Sequence, residues 1–102
     1  MTSIQEPRQL LVARILEGHG MASQELRRSA FANTNLSEPL RTLINTVAEN
    51  PHAVTDEQVL RALTSGCSQD QLFELVICAA VGHSTRQHDA ALRALSAAVL
   101  EG

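Results

Sequence analysis

The chain has no lysine, tryptophan or tyrosine, and only two phenylalanines, two cysteines and three prolines among its 102 residues. Each shortage excludes something. With eight basic residues against eleven acidic ones, and a net charge of −3, there is no basic excess to neutralise nucleic-acid phosphates. Two aromatic rings are too few to stack unpaired bases, so single-strand binding is disfavoured as well. All eight basic residues are arginine; they are spread along the chain, and a compositional bias explains them more simply than selection for bidentate anion contacts. No apolar run reaches membrane-spanning length, and the polar start MTSIQEPRQ lacks the apolar core of a secretion signal. A cytoplasmic protein with reduced thiols is the expectation.

What is present is apolar and helical. Apolar residues make up 44% and charged residues 19%, a balance that suits one globular domain over residues 1–102 and not a disordered tail. No stretch alternates with period two, so the expected class is all-α, with about five helices: two in residues 1–36 and the rest in a core from residue 37 to 102. Leu10, Leu11, Ile15 and Leu16 mark the first, with Pro7 in its opening turn and Gly18 and Gly20 as stops. Ser23 to Ala32 suits a second helix, with Leu26, Ala30 and Phe31 inward, and Asn33-Thr34-Asn35 breaks it. Ser37-Glu38-Pro39 starts a third, with Ser37 as cap, and Leu40, Leu43, Ile44, Val47 and Ala48 form its stripe. Asn50-Pro51 ends it.

Thr55 to Val81 is the most legible stretch. Thr55 and Gln58, then Ser68 and Gln71, repeat the spacing of a capping box. Gly66 between them ends the fourth helix, whose inner residues are expected to be Val59, Leu60 and Leu63. The fifth helix carries Leu72, Phe73, Val76, Ile77, Ala80 and Val81, then Ala91, Leu92, Leu95 and Val99, in near-helical register. Gly82 marks either a bend or a close helix contact. The alanines after residue 78 bury little area each. At roughly 25 cal/mol per Å², a core so poor in aromatics favours added burial by self-association, and a homo-oligomer is expected.

Few residues suggest chemistry. Cys78, His83 and His88 are five apart on one helix, so each points about 140° from the last, and metal ligation is not expected. No cofactor loop is present: Gly18-His19-Gly20 fits no phosphate-binding pattern. Ser84, His88 and Asp89 are a catalytic triad on paper only, because neighbouring helical residues diverge. Cys67, just ahead of a helix N-terminus, is the better placed of the two thiols for a lowered pKa, although an inert thiol is the simpler reading. Arg86, Asp89 and Arg93 read as an exposed charged side, or Arg86 as a contact to a partner subunit. A possible small-molecule ligand or protein partner remains open.

Ser37-Glu38-Pro39-Leu40, VTDEQVLRALTSG and SQDQLFELVICAAVGHSTRQHDAALRAL together resemble the alkylhydroperoxidase-D-like superfamily, which includes the carboxymuconolactone decarboxylases. The resemblance covers the chain from Ser37 onward and implies an all-helical subunit that associates through its helices. Active members carry C-x-x-C and a histidine on the helix before the glycine. Counted back from Gly66, those places fall near Pro51, Val54 and Gln58, so no catalytic role carries over to this chain. The expectation is a non-redox, homo-oligomeric binding or accessory protein. The rivals are an enzyme using His52, His83 or His88 for acid–base work, and a peroxidase acting through Cys67 or Cys78.

Overall fold

The computed structural model describes residues 5–101, and among them it contains five α-helices and no strand. They are α1 (Gln5–Glu17), α2 (Gln24–Ala32), α3 (Leu40–Glu49), α4 (Asp56–Thr64) and α5 (Gln69–Glu101). A single 3-10 turn at Pro51–Ala53 joins α3 to α4 and was not foreseen. The all-α class with a long last helix is therefore as expected. The first four residues and the last lie outside the described residues, as do the side chains of Gln5, Glu6 and Pro7.

Local chemistry accounts for most of the boundaries. Both capping boxes form: Thr55 Oγ1 accepts from Gln58 N at 3.2 Å and Thr55 N donates to Gln58 Oε1 at 3.0 Å. Ser68 N donates to Gln71 Oε1 at 2.9 Å, and Ser68 Oγ accepts from Gln71 N at 3.1 Å. Ser23 caps α2 through Leu26 N, and Asn33 ends it in the left-handed conformation with φ 55°. Gly66, at φ +111°, supplies the same freedom before α5. At α3 the cap is not Ser37. Pro39 holds the cap position and offers no side-chain acceptor, and the Glu38 carboxylate beside it accepts from Thr42 N at 2.9 Å and from the Thr42 hydroxyl at 2.7 Å. These bonds, the side-chain one foremost, hold the Glu38 carboxyl below its ordinary range.

α5 is the axis of the molecule, packing chiefly on α2 and α3. It is one continuous helix, so Gly82 marks no break. A Cβ there would overlap the Phe31 carbonyl, which means glycine is what lets the C-terminal end of α2 lie against α5. Arg86 Nη1 then donates to the same carbonyl at 2.6 Å, satisfying an acceptor that the end of α2 leaves open. Arg86 is thus committed within its own chain.

The core is small and aliphatic. Leu43, Ile44, Leu75 and Cys78 are its largest fully buried side chains, and neither phenylalanine belongs to it: Phe31 is half-buried and Phe73 is 67% exposed. Three inner faces differ from expectation. On α2, Arg27 is buried and Leu26 is turned outward. On α4, Ala62 is the buried residue while Leu60 is 61% exposed. On α5, Leu72, Leu75, Cys78, Ala79 and Gly82 face the core, whereas Phe73, Ile77 and Ala80 do not. Beyond Asp89, every residue of α5 to Glu101 is exposed.

Candidate functional site

Two concavities bear on function. The first is a notch of about 180 Å³ between α1, α2 and α5, lined by Arg14, Ile15, His19, Arg27, Glu74 and Cys78 among others. It gathers the groups a catalytic site would need, yet Glu74, Arg27 and Cys78 are already engaged in structure. The Glu74 carboxylate accepts from Met21 N at 2.7 Å and Ala22 N at 2.9 Å, tying the α1–α2 loop to α5. The Ala22 bond chiefly, then Met21 and the nearby charges of Arg27 and His19, lower the Glu74 pKa. Arg27 Nη1 donates to the Ile15 and Gly18 carbonyls at 3.0 and 2.7 Å and so closes the C-terminal end of α1. Burial raises the Cys78 thiol above its ordinary value, a shift that Arg27 opposes and Glu74 reinforces. A protonated thiol beside a carboxylate already held by two amides is a structural junction and not an activated nucleophile.

The second is an apolar groove of about 430 Å³ where α3, the 3-10 turn, α4 and the first turns of α5 diverge. Leu43 and Val47 form one wall, Val59 and Leu63 another, and Leu72 and Val76 the floor, with Phe73 on the rim. Gln69 is the one polar side chain in this lining. Pro51 and Val54, the places where the resemblance puts two thiols, both line it. Gln58, at the histidine place, is held by its capping bond to Thr55 and by donation to the Thr46 hydroxyl at 3.3 Å. A polar depression beside α3 and α4 is of similar size, but its charges are spent: Arg61 pairs with Glu57 at 3.0 Å, and Glu38 holds Thr42.

The residues singled out from sequence do not converge. His83 and His88 sit half-buried on the unbroken α5, five positions apart and facing different sides, and His52 is exposed on the 3-10 turn. Among the described residues, no group of three His, Cys, Asp or Glu side chains could hold a metal ion. Cys67 is half-buried, and burial raises its pKa, the reverse of the shift expected from the helix terminus. It precedes the Ser68 cap, and Gln71 N in the first turn of α5 donates to the Ser68 hydroxyl. Sequence reasoning passed over Glu74 and Arg27. The signal available for Glu74 was its position as the lone charge between Leu72 and Val81. Compared with protein-family models, with characterised proteins and with solved structures, the chain matches none.

Proposed function

We propose that this protein is a non-redox, homo-oligomeric binding module whose groove between α3, α4 and α5 takes an apolar ligand or the apolar part of one. In this reading it is a relative of the alkylhydroperoxidase-D-like superfamily in which Pro51, Val54 and Gln58 occupy the positions of the reactive residues. The observation that carries the reading is the groove's lining, aliphatic on three sides with Gln69 alone to orient a polar end. Its size, about 430 Å³, falls in the range of small-molecule sites. Neither cysteine reaches it, and burial raises the pKa of both thiols, which supports binding over peroxide chemistry.

Fluorescence titration with N-phenyl-1-naphthylamine, followed by displacement with medium-chain fatty acids and alcohols, tests this reading. Saturable binding at one site per chain is expected, weakened at least tenfold in Val59→Gln. A thermal-shift panel gives a second readout. A ligand at about 100 times its Kd adds about 2.7 kcal/mol, a rise in Tm of roughly 10–20 °C for a chain of this size. Absence of saturable probe binding, together with no shift across the panel, would overturn the apolar-ligand reading.

A further inference from the structure

The notch between α1, α2 and α5 contains a guanidinium with unused donors. Arg27 is the one charged side chain buried among the described residues, at 5% exposure. A guanidinium carries five N–H donors in a rigid fork. Arg27 uses Nη1 alone, which donates to the Ile15 carbonyl at 3.0 Å and the Gly18 carbonyl at 2.7 Å. Its Nε is buried and has no partner, and its Nη2 donates to no described residue. The Nε–Nη2 edge, which can meet an oxyanion through two parallel bonds, is therefore unmatched within the chain. Among the described residues, no carboxylate lies within ion-pair distance of Arg27. A buried donor left in this state is costly, and such groups are rare in folded proteins.

The surroundings have the sign to hold an anion. Arg14 and His19, both exposed, line the notch beside Arg27, and Glu74 is the one acid in that lining. Two guanidinium charges thus face one carboxylate, in a chain whose net charge is −3. That carboxylate is held in place, Oε2 accepting from Met21 N and Oε1 from Ala22 N. Ile15, Ile77 and Cys78 supply an apolar base, which strengthens charge pairing above it.

We infer that the notch binds a phosphate group, bidentate on the Nε–Nη2 edge of Arg27, with Arg14 and His19 at its mouth. At about 180 Å³ it is smaller than the roughly 300–1,000 Å³ of pockets that enclose whole organic ligands. It suits a single small ion, or one group of a molecule whose remainder stays in solvent. A carboxylate offers the same two oxygens with a single charge, so a dianion gains more from Arg14 and Arg27 together. Nη1 keeps its two carbonyls, and the end of α1 stays closed while the site is filled. The apolar groove shares no lining residue with the notch, so this inference and the function proposed above fail separately.

Isothermal titration of the full chain with sodium phosphate near neutral pH, against sodium chloride of equal ionic strength, is expected to show one saturable site per chain. The Arg27 Nε–H resonance, identified in proton–nitrogen spectra by its loss in Arg27→Lys, is expected to shift and to saturate over the same concentrations. Arg14→Gln, at an exposed position, is expected to raise the phosphate Kd at least threefold with an unchanged circular dichroism spectrum. Arg27→Lys, which lacks the fork, is expected to raise it at least tenfold. Arg61→Gln, in the separate polar depression, is expected to leave it unchanged. Phenyl phosphate distinguishes the sources: tighter binding than inorganic phosphate assigns the site to a phosphomonoester, and weaker binding assigns it to the free ion. Acetate binding as tightly as phosphate would overturn the choice of ligand. A chloride titration that matches phosphate, an Nε–H resonance that phosphate does not move, or a Kd unchanged in Arg14→Gln and Arg27→Lys would overturn the site.

Discussion

A methyl group added to Gly82 meets the backbone of Phe31, whose carbonyl has no side-chain freedom with which to move aside. Helix propensity alone gives Gly82→Ala a gain of about 1 kcal/mol, whereas overlap in a packed contact costs about 1–3 kcal/mol. The contact is backbone against backbone, so the cost decides the sign, and urea unfolding of Gly82→Ala is expected to show a net loss. The thiols are the second residue-scale case. Burial raises the pKa of both Cys67 and Cys78, so alkylation at neutral pH is expected to be slow, and slowest at the fully buried Cys78 until the chain unfolds. Peroxide consumption is expected to be the same in Cys67→Ser and Cys78→Ser as in the native chain, and a loss in either would restore the redox reading. Glu74 gives the pH dependence. Its folded pKa lies below the ordinary 4.5, so its contribution is complete above the unfolded value and is lost as pH falls through the folded one. Glu74→Gln is expected to lower stability at pH 7 by about 1–2 kcal/mol and to flatten the acid limb of a stability–pH profile.

Among the elements, α5 divides into an anchored part and a free one. Up to about Asp89 it is held by α2 and α3; from Ala90 to Glu101 no residue is buried even in part. An isolated helix of that length is marginal in water. Here the anchored part supplies the nucleus, and Ala90, Ala91, Ala94, Ala97 and Ala98 supply the best intrinsic propensity. The free part can therefore stay helical while contributing almost nothing to the subunit's own core. Deleting residues 90–102 is expected to leave the unfolding free energy of the monomer within about 0.5 kcal/mol, measured at concentrations where the full chain is dissociated. The loops contrast with this freedom. Arg27 and Glu74 fasten the α1–α2 turn to its neighbours through four backbone groups.

For the whole molecule, the radius of gyration is 15.7 Å and the longest dimension 53 Å. A compact chain of this length has a radius of about 13 Å, and the excess follows from one helix about 50 Å long. Leu10, Phe73, Leu95, Val99 and Leu100 are all at least 60% exposed, apolar area that the proposed homo-oligomer would bury in part. Folding linked to dimerisation makes Tm rise with protein concentration, each tenfold step adding about 1.4 kcal/mol per dimer. Calorimetry over two decades of concentration is expected to show that rise, and a constant Tm would count against association. Nothing in the described residues provides a membrane-spanning helix.

Helix identity and most helix ends depend on interactions within four residues, which is why the amino-acid sequence determined them by itself. The two capping boxes and the Asn33 and Gly66 terminations belong to this class, whereas the unbroken passage of α5 through Gly82 was settled by the structure. Which side of a helix is inner depends on residues far away along the chain. Only the tertiary structure decided that Arg27 goes in and Leu26 out, and that Phe73 and Ile77 face away from the core. On α5 both sides are apolar through the first half, so hydrophobic periodicity alone had two answers. Packing of the Phe31 carbonyl against Gly82 selected one, and left Phe73 and Ile77 on the outer side.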